Sequence, residues 1–288
     1  MLINLDTVQG GLGRIPLAML LPLARRCGFD TVTFPLWEVA TSQQARDAAN
    51  RIRDHGLQWA LMPMDIDIMR ECSDDEYAAD LARLQRQMDL AQAAGVRRYY
   101  NHVWPGSNER ARAENFAWCV ERFGKVFEAA SARGIKAGLE FLGPRPLCDS
   151  FRYPFIRGLR EMLTLADAIA PAVAVQFDTY HWFTSGTTLE EVRLLGSGDR
   201  VVGVHLNDGW PGRSRDEQQD LERELPLTTG VIDSVAPVRV LHELGYDGPV
   251  WVEPFEPAAT RLREMPLERA LQTLSGSAAE VLRRAGVR

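Results

Sequence analysis

The 288-residue sequence has few cysteines, few histidines and no long apolar run. Its four cysteines contain no CxxC pair, which argues against a disulfide framework or a thiolate metal centre and favours reduced thiols. No stretch approaches the ~18 apolar residues that cross a bilayer. The first residues also lack the basic segment typical of a secretory signal. These absences lead us to expect a cytoplasmic protein that does not associate with membranes.

An excess of basic charge is also absent, because 33 Lys and Arg oppose 39 Asp and Glu, giving a net charge of −6. Such a chain has no overall field for holding nucleic acid or an anionic membrane. Its hydrophobic fraction of 45% and charged fraction of 25% are typical of soluble globular proteins. The length allows a single large domain, since barrels of alternating strands and helices commonly reach about 250 residues.

Short apolar segments alternate with longer amphipathic ones along the whole chain. Eight segments predict strands: Leu2–Val8, Thr31–Trp37, Trp59–Met64, Arg97–Val103, Lys136–Leu142, Val173–Thr179, Val201–Asn207 and Val250–Phe255. Helical spacing of apolar residues predicts helices between them, as in Asp80–Ala94 and Phe116–Ala132. Several helices should end at a glycine, namely Gly28, Gly56, Gly95, Gly134 and Gly245. Eight strand–helix units predict parallel strands and an α/β fold, a (β/α)8 or TIM barrel, as one domain over residues 1–288.

The ends of the last four predicted strands carry side chains that can ligate a metal. Glu140, Asp178, His205 and Glu253 each follow at least three mostly apolar positions. A doubly wound sheet, the competing fold, would concentrate its chemistry at one crevice. A barrel instead places functional residues at the C-terminal ends of many strands, which is the pattern seen here.

Placing a charge in an apolar strand costs several kcal/mol unless the charge is paired or ligated. The four residues could be capped by loop N–H groups or paired with arginine. Because they occur in phase on successive strands, we favour convergence on one cation. Three carboxylates and one imidazole carry a net charge of −3 and suit Mn²⁺, Mg²⁺ or Co²⁺, with Zn²⁺ also compatible.

The segments that carry these residues resemble a known family. They are GLEFLGP at 138–144, FDTYHWFTSG at 177–186, VHLND at 204–208 and GYDGPVWVEPF at 245–255. They are similar to the xylose isomerase-like barrel superfamily, and more closely to its sugar phosphate isomerase/epimerase branch. That branch includes ketose 3-epimerases, 3-keto-glycoside epimerases and inosose dehydratases. The resemblance implies one divalent cation, Mn²⁺ being favoured, held by Glu140, Asp178, His205 and Glu253. It also implies a homo-oligomer.

The same resemblance suggests residues that contact substrate. The family's Asp-x-x-His motif makes His181 a contact for a substrate hydroxyl. Ketose epimerases carry an arginine shortly after the strand-seven histidine, and Arg213 and Arg215 are the candidates here, although the spacing departs from the family's. The second glutamate of ketose epimerases is replaced by Pro146. This substitution disfavours a simple free ketose and favours an altered sugar such as a keto-glycoside or a cyclitol.

Aromatic residues near the strand ends are candidates for sugar contact. Trp104 and Trp182 could stack on the apolar face of a sugar or could simply close the top of the core. His102, at the end of strand four, is as compatible with a structural role as with substrate contact. The charged segment from Arg213 to Glu224 is interpreted as a solvated insertion, whose position also permits a lid.

Epimerisation beside a carbonyl requires a proton to be removed from carbon and the resulting enediolate to be stabilised. A divalent cation bridging the two oxygens provides that stabilisation. Glu140 and Glu253 should flank the substrate and serve as the acid/base pair. The sequence therefore predicts a metal-dependent isomerase or epimerase of a small sugar or polyol.

Three other functions remain open. The same enediolate would support a dehydratase or lyase if it expelled a β-hydroxyl group. Apurinic-site endonucleases share the superfamily barrel, but they need a multi-zinc cluster rich in histidine. Only five histidines and the net charge of −6 argue against that function. A non-catalytic sugar-binding barrel or partner subunit is the fourth possibility.

Overall fold

The computed structural model describes all 288 residues and confirms the predicted barrel. Its eight parallel strands are β1 Leu2–Leu5, β2 Thr31–Val32, β3 Gln58–Trp59, β4 Arg98–Val103, β5 Lys136–Phe141, β6 Ala174–Asp178, β7 Val201–Leu206 and β8 Pro249–Val252. Successive strands pair along the chain except β3 and β4, which end the sheet order, and β8 returns to pair with β1. The Met62 N–H, just beyond β3, donates to the Arg98 carbonyl at 2.8 Å, which joins the segment after β3 to β4.

Helices cover the outside of the strands. They are α1 Leu17–Ala24, α2 Ser42–Asp54, α3 Asp74–Ala94, α4 Arg112–Ser131, α5 Arg145–Asp149, α6 Leu159–Ile169, α7 Thr179–Ser185, α8 Leu189–Arg193, α9 Val235–Glu243, α10 Ala258–Arg263 and α11 Leu267–Ala285. All five glycines predicted to end helices have positive φ angles, between 64° and 93°. No helix is long and apolar enough to cross a membrane.

Two element boundaries differ from the predictions for identifiable reasons. The second strand ends at Val32 instead of Trp37, because Pro35 has no N–H to donate and a 3-10 turn follows at Leu36–Glu38. Helix α3 begins at Asp74, earlier than predicted. The Ser73 side chain accepts the Glu76 N–H and thereby stabilises a polar first turn that apolar periodicity does not reveal.

A β-bulge between β6 and β7 sets which side chains face the barrel axis. Val175 pairs with Val201, but the next pair is Gln176 with Gly203, so Val202 is the extra residue. A one-residue slip reverses the face of every side chain that follows. The bulge therefore places His205 opposite Asp178 on one side and opposite Trp251 of β8 on the other.

Gly203 makes this arrangement possible because there is no room for a side chain. A Cβ atom there would lie 2.4 Å from Gln176 Oε1 and 2.7 Å from the Trp251 ring. We expect Gly203→Ala to lower the free energy of unfolding by about 1–3 kcal/mol through overpacking. Gly124→Ala in α4 is the matched control, since no heavy atom lies within 4 Å of its Cβ position. Thermal unfolding of both variants measures the difference, and equal effects would refute this account of the bulge.

Candidate metal centre and active site

The four predicted ligands meet at the C-terminal mouth of the barrel, and all four are buried. His205 Nδ1 lies 2.9 Å from Glu140 Oε1, 3.3 Å from Asp178 Oδ2 and 3.4 Å from Glu253 Oε2. Ligand atoms of Asp178, His205 and Glu253 all lie within 4.8 Å of one another. Glu140, Asp178 and His181 form a second, overlapping group of the same kind. The four side chains are therefore close enough to share one ion, and we refer to them as the carboxylate cluster.

The imidazole of His205 is held so that one nitrogen faces the carboxylates. Its Nε2 lies 3.5 Å from the Tyr100 hydroxyl, and its ring packs edge-on against Trp251 at 4.5 Å. A hydrogen bond from the second nitrogen fixes the tautomer of a metal-binding histidine. Tyr100 and Trp251 thus leave the Nδ1 lone pair available to a cation.

Gln9, which sequence reasoning missed, orients Glu253. Its Nε2 donates to Glu253 Oε1 at 3.0 Å, and its Oε1 accepts the Trp251 indole N–H at 2.9 Å. The residue lies just beyond β1, in a loop whose sequence carries no periodic signal. Only the closure of β8 onto β1 reveals this contact.

Arg223 is the other residue that the sequence did not indicate, because it lies inside the segment interpreted as a solvated insertion. The structure corrects that interpretation, since Arg223 is only 2% exposed. Its Nη1 donates to Asp178 Oδ2 at 2.8 Å and to Glu253 Oε2 at 2.7 Å. A two-residue strand, Glu222–Arg223, pairs with Glu256–Pro257 and ties this loop to the one after β8.

Arg213 and Arg215, the arginines chosen from the sequence, pair outside the carboxylate cluster. Arg213 forms an ion pair with Glu222. Arg215 is exposed and lies 3.9 Å from Asp216. The arginine that reaches the cluster is therefore Arg223, which comes later in a longer loop than the family spacing suggested.

The other predicted contacts lie around the same mouth. His181 is buried beside the cluster, where its Nδ1 accepts the Gly143 N–H at 3.2 Å. His102 lies next to Glu140 in the β4–β5 register, and the Trp104 ring packs edge-on against it at 4.7 Å. The Trp182 indole N–H is buried and has no hydrogen-bond partner.

Burial and close charges shift the pKa values of the cluster in opposite directions. Burial raises the pKa of Glu253 to about 8, although His205 and Arg223 partly oppose the shift. Burial alone would lower the pKa of His205, but Glu253 and Glu140 raise it well above its usual range. Burial likewise opposes ionisation of Asp178, yet Arg223 and His181 hold its pKa well below normal. Burial lowers the pKa of His181, which favours the neutral ring.

The donor set fits a divalent cation. Three carboxylates and the Arg223 guanidinium sum to −2, a charge that one divalent ion would balance. Glu140 Oε1 is buried without a hydrogen-bond partner, because its close approach to His205 lacks hydrogen-bond alignment. Carboxylate oxygens with one imidazole suit hard and borderline cations such as Mg²⁺, Mn²⁺ and Zn²⁺.

A cavity of about 380 Å³ opens beside the cluster, at the ends of β1, β2 and β3. Gln9 lines it and also contacts Glu253, so the cavity adjoins the candidate centre. Asp6, Asp65 and Arg14 add polar groups to its wall, and Trp37 adds an aromatic surface. This size and mixed lining are typical of a small-molecule site.

Comparison with known proteins agrees with this architecture. The sequence profile of the xylose isomerase-like TIM barrel family matches residues 21–283. The chain belongs to this family. A xylose isomerase domain protein from Alicyclobacillus acidocaldarius superposes with a TM-score of 0.81 at 25% identity, covering 99% of both chains.

Two relatives found by sequence comparison are named as epimerases. A ketose 3-epimerase from Arthrobacter globiformis is 25% identical over 240 residues, covering 80% of this chain and 75% of that protein. A putative L-ribulose-5-phosphate 3-epimerase from Escherichia coli strain K12 is 26% identical over 255 residues, covering 81% of this chain and 82% of that protein.

Metal affinity is expected to fall as the pH is lowered. A cation competes with protons for Glu253 and His205, and the pKa of Glu253 is about 8. Below that pH at least one proton must leave for each ion bound. The apparent Kd for Mn²⁺ should therefore rise at least about tenfold per pH unit between pH 8 and pH 6. Calorimetry in buffers of different ionisation enthalpy counts the released protons, and a pH-independent Kd would contradict this expectation.

Proposed function

We propose that the protein is a divalent-metal-dependent epimerase or isomerase of a keto-sugar, a keto-glycoside or a related polyol, acting through an enediolate. The observation that carries this proposal is the convergence of Glu140, Asp178, His205 and Glu253 on one point at the barrel mouth. The epimerase relatives support the reaction class. The four residues would hold the cation, with Mn²⁺ favoured.

When bound, the cation would supply Lewis-acid polarisation of the substrate carbonyl and its neighbouring hydroxyl. Glu140 and Glu253 extend from the first and last of the four strands that carry the cluster, so they would flank a substrate seated there. One glutamate removes the proton from carbon, and the other returns a proton on the opposite face, which inverts the centre. A general acid/base works best when its pKa lies near the working pH. Burial moves the pKa of Glu253 toward that range by raising it to about 8.

His181 would bind a substrate hydroxyl. Its Nδ1 accepts the Gly143 amide at 3.2 Å, and its Nε2 lies 3.3 Å from Arg223 Nη2. The same Nε2 faces the cluster, 3.7 Å from Asp178 Oδ2. Arg223 has a different role, because its Nη1 is already committed to Asp178 and Glu253. It keeps Asp178 ionised, opposes the rise in the pKa of Glu253 and holds both carboxylates in place.

Proton exchange in D₂O tests the proposal. The Mn²⁺-loaded protein is incubated with D-fructose, D-tagatose, L-ribulose and the glycosylated ketose maltulose, and the products are followed by NMR. We expect deuterium at C3 or C1 without loss of water. Loss of water would instead identify a dehydratase or lyase. Absence of exchange despite sugar binding would indicate a non-catalytic barrel and refute the proposal.

A further inference from the structure

A second cavity, of about 290 Å³, lies beside Trp104. The loop after β3, the loop after β4 and Phe151 form its walls. None of its lining residues belongs to the cluster or to the cavity beside it. We call it the outer cavity.

The outer cavity contains a buried donor without a partner. Asn115 lines the cavity and is 1% exposed, yet its Nδ2 makes no hydrogen bond. Its Oδ1 accepts from Arg110 Nε at 3.3 Å, which fixes the direction of the amide. Buried polar groups are almost always hydrogen-bonded, so we expect the Asn115 amide N–H to donate to an oxygen of a ligand or of water.

The remaining walls are aromatic or carry balanced charge. The rings of Trp104 and Phe151 lie 6.2 Å apart, and the Trp104 indole N–H donates to Asp67 at 3.0 Å. Two acidic residues, Asp67 and Glu71, are matched by two arginines, Arg70 and Arg110. Arg110 is already ion-paired with Glu71. A wall without excess charge favours a neutral ligand over a phosphate or carboxylate, and aromatic faces with polar groups suit a sugar ring.

A short path of side chains connects the outer cavity to the carboxylate cluster. His102 lies beside Glu140 in the strand register and packs edge-on against Trp104. Its Nε2 has no hydrogen-bond partner and lies 4.0 Å from Asp67, which lines the cavity. The outer cavity therefore begins at Trp104, which packs against the strand neighbour of Glu140.

We propose that the outer cavity is a subsite for a neutral glycosyl unit, so that the preferred substrate is a glycosylated keto-sugar with its keto ring or chain at the cluster. The identity of the first unit rests on the proposed function above. The second unit is bound by the Asn115 amide and the faces of Trp104 and Phe151.

Binding of matched ketoses tests the subsite independently of turnover. Calorimetry in saturating Mn²⁺ compares D-fructose with maltulose, lactulose and isomaltulose, in which the fructose unit carries a second ring. We expect at least one disaccharide to bind about tenfold or more tightly than fructose, since a satisfied buried donor and an aromatic contact together suffice for that factor. We define the affinity ratio as the Kd of fructose divided by the Kd of the disaccharide. Phe151→Ala should bring this affinity ratio close to one while leaving fructose affinity unchanged.

Asn115→Leu, which keeps the volume and removes the donor, should reduce the same ratio. Leu194→Ala, at an exposed position outside both cavities, is the control and should preserve it. Equal affinities for fructose and all three disaccharides, or a ratio that survives Phe151→Ala, would overturn the subsite. If deuterium exchanges into fructose but disaccharides bind no more tightly than fructose, the subsite is refuted and the proposed function stands. If the preference for disaccharides depends on Phe151 but no deuterium exchange occurs, the proposed function is refuted and the subsite stands.

Discussion

Replacing Glu253 by glutamine is expected to lower kcat for epimerisation at least about 1,000-fold. Proton transfer by a positioned side chain contributes about 10²–10⁴-fold, and the change also removes one charge from the candidate metal centre. The amide keeps the size of the side chain and can still accept the hydrogen bond from Gln9. Glu140→Gln should be impaired to a similar degree, because the two glutamates act on opposite faces of the substrate.

Deuterium exchange and product formation measure this loss. Glu256→Gln is the matched control, since Glu256 lies three residues along the same loop and pairs with Arg263 at the surface. The control should retain nearly full activity and an unchanged melting temperature. A Glu253→Gln variant with activity within tenfold of the wild type would exclude Glu253 from the acid/base role.

Arg223→Met should destabilise the protein most strongly when chelator is present. The substitution leaves Asp178 and Glu253 buried without their shared cationic partner. Breaking a buried ion pair from one side costs about 3–5 kcal/mol. A divalent cation would balance the unpaired negative charge of these carboxylates, so added Mn²⁺ should recover much of the lost stability. Mn²⁺ should also bind the variant more tightly than the wild type, because a competing positive charge is gone.

Thermal unfolding with EDTA and with Mn²⁺ separates these effects. Arg213→Met is the control, because Arg213 pairs with Glu222 at the surface, where such a pair contributes about 0–1 kcal/mol. Mn²⁺ should therefore raise the melting temperature more for Arg223→Met than for Arg213→Met. Equal stabilisation of the two variants would contradict the placement of Arg223 beside a cation.

The sequence predicted the barrel and the convergence of the cluster because both depend on local pattern. A charged residue after an apolar run marks the C-terminal end of a buried strand. Parallel strands in a closed ring bring those ends together. Glu140, Asp178, His205 and Glu253 each carried that signal, and the structure brings an oxygen of each carboxylate within 3.4 Å of His205 Nδ1.

Arg223 and Gln9 could not be predicted in this way, since their positions depend on contacts distant in sequence. Arg223 lies among acidic and basic neighbours that are typical of a solvated loop. It is buried because its short strand pairs with Glu256–Pro257 and its guanidinium stacks on Tyr180 and Phe255. Gln9 reaches Glu253 only after β8 closes against β1.

The bulge at Val202 is a further feature without a sequence signal. Valine, valine and glycine at positions 201–203 are equally compatible with an uninterrupted strand. The choice between the two registers depends on packing, since Val202 and Gly203 must share the barrel interior with Gly138, Gln176 and Trp251. This packing decides whether His205 faces the carboxylates.

The most direct test of the central claim is a crystal structure of the protein with Mn²⁺, with the ion located by its anomalous scattering. The account predicts one ion per chain, within about 2.0–2.6 Å of oxygens from Glu140, Asp178 and Glu253 and of Nδ1 of His205. The peak should disappear in Asp178→Asn crystals prepared in the same way. An ion bound elsewhere, or no ion at saturating Mn²⁺, would contradict the account.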